Sequence, residues 1–258
     1  VQIPLETKQF GRIAAQAAKH VIRQGIREAE RGQMMQEFQS REHEIISAKV
    51  VRTDPARGSV TLEIGKSEAM LTRQEQVPGE ELHEGDHVKV YVVEVAATDR
   101  GPRVMLSRTH PGLVKRLFEM EVPELYDGTV ELKAISREAG SRTKIAVYSK
   151  DQNVDAVGAC IGPKGARVAK IVDELGGEKI DVVKYSEDPA EFVAAALSPS
   201  QVVSVDVAED GSKSCIVKVP DNQLSLAIGN KGQNARLAAK LTGWKIDIKP
   251  ESGFYGEE

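Results

Sequence analysis

The sequence predicts a multidomain chain: an N-terminal helix, an all-β barrel of five strands, then two α+β modules in tandem. Three observations predict it. Residues 11–42 carry helical apolar spacing. Residues 44–108 break into five short β-branched runs. After residue 111, one pattern of helices, strands and a glycine loop occurs twice. With 258 residues, 40% of them apolar, the chain has room for two or three small domains with real cores. Aromatics make up only 4%, so those cores are mostly aliphatic.

The helix is read from GRIAAQAAKHVIRQGIREAERGQMMQEFQSRE, residues 11–42. Ile13, Ala17 and Val21, flanked by Ala14, Ala18 and Ile22, form one apolar face, and Glu–Arg pairs cover the other. Gly25 and Gly32 each weaken the helix by about 1 kcal/mol relative to alanine. A continuous helix of this length spans on the order of 45 Å. Such a helix suits a connector to something N-terminal. The chain begins at Val1 and residues 1–10 read as mid-protein sequence, so a cut N-terminus is expected.

The barrel follows from IISAKVVRT, GSVTLEI, SEAMLT, HVKVYVVEV and RVMLSR, separated by turns such as Ala56-Arg57-Gly58 and Asp99-Arg100-Gly101-Pro102. Five short strands in about 65 residues fit a small OB-type barrel. From residue 111 the pattern is mixed. A helix at 113–121 precedes GTVELKAISR and RTKIAVYS, then the stretch ACIGPKGARVAKIV, then KIDVVKY at 179–185. SEDPAEF opens the second copy, with Asp188 as N-cap, Pro189 at the first helical position and Glu191 placed for a capping box. QVVSVDVA and KSCIVKVP, joined by the Glu209–Ser212 hairpin turn, lead to AIGNKGQNARLAAKL and KIDIKP. Gly162 and Gly229, the first glycines of the two loops, lie 67 positions apart.

Charge and cysteine content narrow the function classes. A formal net charge of −4 argues against coating nucleic acid non-specifically but leaves room for a local basic groove. Cys160 and Cys215 stand in no metal-like spacing and read as small buried hydrophobes of a reducing cytosol. No apolar run approaches the ~18–20 residues of a bilayer span, and no signal peptide is visible.

The G-x-K-G loops carry the chemistry. Glycines without Cβ atoms let a backbone approach closely and adopt positive φ. The loop N–H groups are expected to point outward at a helix N-terminus, where the helix dipole favours an anion, and Lys164 and Lys231 add mobile positive charge. The Walker loop is excluded because no Ser or Thr follows either lysine. The dinucleotide fingerprint is excluded because a helix, not a strand, precedes each loop. A helix on both sides of G-x-x-G is the KH arrangement, whose loop clamps the backbone of about four nucleotides of RNA. In the helices that follow, Val168, Ile171, Val172 and Leu175, and Ala235, Ala238, Ala239 and Leu241, are core positions. Arg167, Lys170, Gln233, Arg236 and Lys240 are left to face solvent or phosphate. HEGDH at 83–87 matches the zinc-protease string H-E-x-x-H. That chemistry needs both histidines on one helical face, whereas Gly85-Asp86 and the following VKVYVVEV make this a turn entering a strand. His20, His43 and His110 have no triad-like companions in the sequence.

GRIAAQAAKHVI, SEAMLTRQEQVPGE, LSRTHPGLVKRLFEMEVPE, VGACIGPKGARV and LAIGNKGQNARLAAKLTGWKIDI together resemble the NusA family of bacterial transcription elongation factors, over essentially the whole chain. The resemblance implies a barrel of the ribosomal S-one type and two type II KH domains forming one RNA-binding surface. It implies boundaries of 1–42 for the helical end of a polymerase-binding domain, 43–110 for the barrel, 111–186 and 187–251 for the KH domains, and 252–258 for a tail. The implied RNA clamp falls on Gly162, Pro163, Lys164 and Gly165, and on Gly229, Asn230, Lys231 and Gly232. The implied partners are single-stranded nascent RNA, RNA polymerase mainly through an N-terminal head of which this chain is expected to keep only the helical end, and further elongation or antitermination factors. The implied role is modulation of pausing, termination and antitermination by a cytoplasmic, monomeric, non-enzymatic protein without cofactor or metal. One departure stands out: barrels of this type expose aromatics for base stacking, and 44–108 offers only Tyr91, inside an apolar run. The barrel is therefore expected to act as a spacer or as a weak RNA surface, with the main grip in the KH pair. The competing readings are a zinc hydrolase, an accessory RNA-binding module of a nuclease or other RNA-processing complex, and a KH scaffold that binds protein.

Overall fold

The computed structural model describes residues 11–65, 67–98 and 101–253. The mid-protein reading of 1–10, the Asp99-Arg100 half of one barrel turn and residues 254–258 of the tail lie outside them. Helix α1, Arg12–Gln39, runs unbroken through Gly25 and Gly32. The Ile13 side chain lies outside the described residues; the rest of the expected apolar face is not covered, with Val21 66% exposed and Ile22 61%, nor is Ile26 beyond it, at 52%. Only the C-terminal end is seated. Phe38 is fully buried in the barrel core, with Met34 and Met35 packed beside it.

The barrel strands are β1 (Ile45–Asp54), β2 (Ser59–Ile64), β3 (Ser67–Leu71), β4 (His87–Thr98) and β5 (Gly101–Ser107). They form one antiparallel sheet in the order β3-β2-β1-β4-β5. Strands β3 and β5 approach each other and close it. Bulges between Val50 and Arg52 and between Val92 and Glu94 bend the long strands. Alternate residues point inward, so Ile46, Ala48, Val50, Leu62, Ile64, Leu71, Val90, Val92 and Leu106 make an aliphatic core. The turn after β1 is fixed by the Asp54 carboxylate, which accepts from the amides of Ala56 and Arg57.

The first module comprises α2 (Pro111–Glu121), α3 (Pro123–Tyr126), β6 (Val130–Glu138), β7 (Arg142–Ser149), α4 (Ala156–Ile161), α5 (Ala166–Glu174) and β8 (Lys179–Lys184). The second comprises α6 (Pro189–Ala196), β9 (Ser204–Val207), β10 (Ser214–Val219), α7 (Leu224–Ile228), α8 (Gln233–Thr242) and β11 (Lys245–Pro250). Each sheet has one antiparallel and one parallel pair, in the orders β6-β7-β8 and β11-β10-β9. The repeat read from sequence is thus a repeat of topology. Asp188 caps α6 by accepting from Ala190 N at 2.9 Å. The reciprocal half is relayed: Asp188 N donates to Ser186 Oγ, whose hydroxyl donates to Glu191.

Polar contacts, some of them fully buried, join the units. Arg137 donates to the carbonyls of Arg108 and His110 and pairs with buried Glu178. Lys89 of the barrel reaches Glu174 at the end of α5 at 2.9 Å. Tyr91 does not join the barrel's own core. It packs in the first module's core, stacked on His110 at 4.9 Å between ring centres, with its hydroxyl 3.3 Å from His43 Nδ1. Helix α8 lies across the far face of β6 and β7, where Ser136 Oγ donates to Leu237 O at 2.8 Å. Ala146 and Val183 of the first module belong to the core of the second.

Candidate nucleic-acid interface

The two loops have the same backbone. Gly162 has φ 74 and ψ 173, and Gly229 has φ 77 and ψ 171. That region is open only to glycine. Lys164 (φ 52, ψ 27) and Lys231 (φ 50, ψ 32) sit left-handed, as do Gly165 (φ 77) and Gly232 (φ 73). A Cβ on the first glycine would collide with the helix beyond, 2.6 Å from Arg167 Cγ in one copy and 2.7 Å from Asn234 N in the other. A Cβ on Gly165 would meet nothing within 4 Å, and one on Gly232 only Arg236 at 3.9 Å. The first glycine therefore permits close helix packing, and the second leaves a bare outer surface.

The amides contribute less than the glycine pattern suggests. Gly162 N donates to Gly158 O, Gly165 N to Gly162 O and Ala166 N to Pro163 O. Gly229 N, Gly232 N and Gln233 N are bonded in the same way to Ser225, Gly229 and Asn230. These three donors in each loop close the turn on itself. The exposed polar side chains of the two loops are Lys164, Asn230 and Lys231, with the Pro163 ring exposed beside Lys164. Neither lysine has a carboxylate within ion-pair distance among the described residues.

The helix residues expected to reach phosphate are instead held by carboxylates of the protein. Arg167 donates to Glu124 at 2.9 Å and to Ala159 O at 2.7 Å. Lys170 pairs with Glu121 at 3.1 Å. Arg236 donates to Glu138 at 2.7 Å, and Gln233 donates to Glu138 and to Ser141. The Arg236 and Gln233 bonds hold the Glu138 carboxyl below its ordinary pKa. Of the predicted core positions, Ile171, Leu175, Ala238 and Leu241 are buried, while Val168, Val172, Ala235 and Ala239 are half-buried. Sequence reasoning missed Asn234 and Leu237, both buried. Asn234 occupies the place of Arg167, five positions after the first glycine. Its Nδ2 donates to Ala227 O at 2.9 Å, as Arg167 does to Ala159 O. In both copies this residue stitches together the helices on either side of the loop.

The remaining candidates are placed as follows. His83 to Asp86 form the turn before β4, with Asp86 N bonded to His83 O at 3.1 Å and Gly85 at φ 96. His87 opens the strand, so the two histidines share no helical face. Among the described residues, no group of three His, Cys, Asp or Glu is placed to hold a metal ion. Cys160 and Cys215 are buried, and burial pushes the Cys160 thiol up to about 12. His43 and His110 do come together, around Tyr91, at the joint between barrel and first module. No helix among the described residues is long and apolar enough to cross a membrane.

Comparison with known proteins covers the chain in succession. Family models match a NusA N-terminal domain at residues 1–32, an S1 RNA binding domain at 39–107, a NusA-like first KH domain at 108–185 and a NusA-like second KH domain at 189–255. The transcription termination/antitermination protein NusA of Bacillus subtilis is 58% identical, covering 100% of this chain and 70% of the relative. The protein of that name from Halalkalibacterium halodurans is 58% identical over 98% of this chain and 65% of the relative. The one from Thermus thermophilus is 44% identical over 96% and 64%. The chain thus spans about two thirds of the length of these relatives. Helix, five-stranded barrel and paired loop modules occur in the order of those domains, and the chain belongs to the NusA family.

Proposed function

We propose that this chain is an RNA-binding transcription elongation factor that grips single-stranded nascent RNA and modulates pausing, termination and antitermination. One observation carries the reading: two G-x-K-G loops with matching backbone angles, each presenting, beside a bare glycine, a lysine with no ion-pair partner among the described residues. In this reading Gly162, Pro163, Lys164 and Gly165, with Gly229, Asn230, Lys231 and Gly232, seat the sugar–phosphate backbone. Grip comes from the lysines and from close approach at the second glycines. Arg167 and Lys170 contribute where phosphate displaces their carboxylate partners, and Gln233 and Arg236 contribute with their bonds to Glu138 kept. The division is 1–42, 43–110, 111–186, 187–251 and 252–258, with the barrel as spacer or weak RNA surface and contact to RNA polymerase made mainly through the N-terminal region. The protein acts by binding, not catalysis, in the cytoplasm. The test is the double variant K164D/K231D. Its affinity for unstructured RNA should fall at least tenfold at low salt, with a shallower salt dependence, because two phosphate contacts and their counterion release are lost. A folded double variant with unchanged affinity would reject the clamp.

A further inference from the structure

We propose that the turn between β6 and β7, acting through Glu138 and Ser141, fixes the distance between the two loops and so selects RNA by the spacing of the segments they hold. The inference rests on reading both loops as RNA clamps.

The turn is anchored on three sides. Toward the barrel, Gly140 (φ 78) lies so close that a Cβ would stand 2.8 Å from Val77 Cγ1 and 2.9 Å from Pro78 O. Toward the first loop, Gly140 N and the Arg137 guanidinium both donate to the Glu178 carboxylate. Glu178 follows α5, the helix that leaves the first loop, by four residues. Toward the second loop, Glu138 accepts from Gln233 Nε2 at 2.8 Å and from Arg236 Nε at 2.7 Å, and Ser141 Oγ accepts from Gln233 Nε2 at 2.7 Å. Gln233 is the first residue of α8, directly after Gly232. The helices leaving the two loops are thus pinned to the same few residues, one at its far end and the other at its near end. Unpaired RNA is flexible. Its second segment binds with an effective concentration set by the separation of the sites and by how firmly that separation is held. Gln233 and Arg236 are then positioning residues for the second loop.

The experiment uses the full chain and oligoribonucleotides carrying two tetra-adenosine segments joined by ethylene-glycol spacers of graded length, with one-segment oligonucleotides as reference. The wild-type affinity should pass through a sharp optimum in spacer length. E138Q should flatten the optimum and weaken its best RNA roughly tenfold, leaving one-segment binding unchanged. S141A should do the same to a smaller extent. Circular dichroism and thermal melting establish that each variant is folded. An E138Q profile identical to wild type overturns the inference. So does tighter binding of every RNA, one-segment oligonucleotides included, which would make Glu138 a competitor of phosphate. Wild-type binding without any spacing optimum overturns the inference alone, whereas no wild-type binding at any spacing overturns the clamp reading as well.

Discussion

The two modules share topology and loop geometry but differ in what covers the far face of each sheet. In the first, α6 and α8 of the second module lie on it, so β7 is buried on both faces from Thr143 to Val147. In the second, β10 alternates: Cys215, Val217 and Val219 are buried while Ile216 and Lys218 are exposed. The repeated tripeptide Lys-Ile-Asp shows the consequence. The Asp181 side chain is 17% exposed and binds Arg142 and fully buried Lys144, which also donates to Ser198 O. The Asp247 side chain is 62% exposed and faces Lys249 at 3.4 Å. Identical local sequence makes a joint in one copy and a solvated surface in the other. The neighbouring domain sets the role of the position.

Matched substitutions break that comparison most sharply at these aspartates. D181N should destabilise the protein by about 3 kcal/mol, because it strands two cations at a buried joint, whereas D247N should leave the denaturation midpoint unchanged within error. Equal effects in chemical denaturation would remove the distinction. Next come the first glycines. G229A and G162A should each cost about 2 kcal/mol: both strain the backbone, and the new methyl meets the Asn234 backbone nitrogen in the second module and the Cβ and Cγ of Arg167, itself held by Glu124 and Ala159 O, in the first. The smallest effect is acid sensitivity. Burial, with the charges of His43 and Arg137, keeps His110 below its ordinary pKa of 6.5 despite Glu75. Its Nδ1 must stay unprotonated to accept from Gly112 N at 3.0 Å. The unfolded chain therefore binds more protons, and this stability is complete above pH 6.5 and lost as pH falls below it. Burial opposes ionisation of Glu178 and Asp181, but the Arg137 bonds in one case and Arg142 with Lys144 in the other outweigh it and hold both below their ordinary 4.5 and 3.8. Their contribution is complete above those values and disappears as pH falls through the lowered ones. Melting between pH 7.5 and 5.5 should show the first loss, and H110N, which can cap α2 without titrating, should abolish it.

Elements with their own periodicity were legible in sequence: β7 and β11 run over the residues expected of them, and β8 ends one residue early. The stripe on α1 was legible as a pattern, but periodicity says that a face is apolar and nothing of what covers it. The short helix α3 carries too few residues to show a period. The carboxylates that hold Arg167, Lys170 and Arg236 lie 43, 49 and 98 positions away in the chain, so no local motif announces them. Burial of Lys144 runs against the expectation for lysine and follows only from the docking of the second module. At the loops, G-x-K-G located both turns and their left-handed residues. It did not reveal that three amides of each turn are bonded inward.

Helix α1 is a rod of about 42 Å seated at one end, where Phe38 is socketed in the barrel. Such a rod is a lever. A tilt of about 5° at the socket carries its tip roughly 3.5 Å. Sub-ångström adjustments where the barrel grips Phe38 are thereby magnified at Arg12, and the torque arm for anything pulling on that tip is as long as the helix itself.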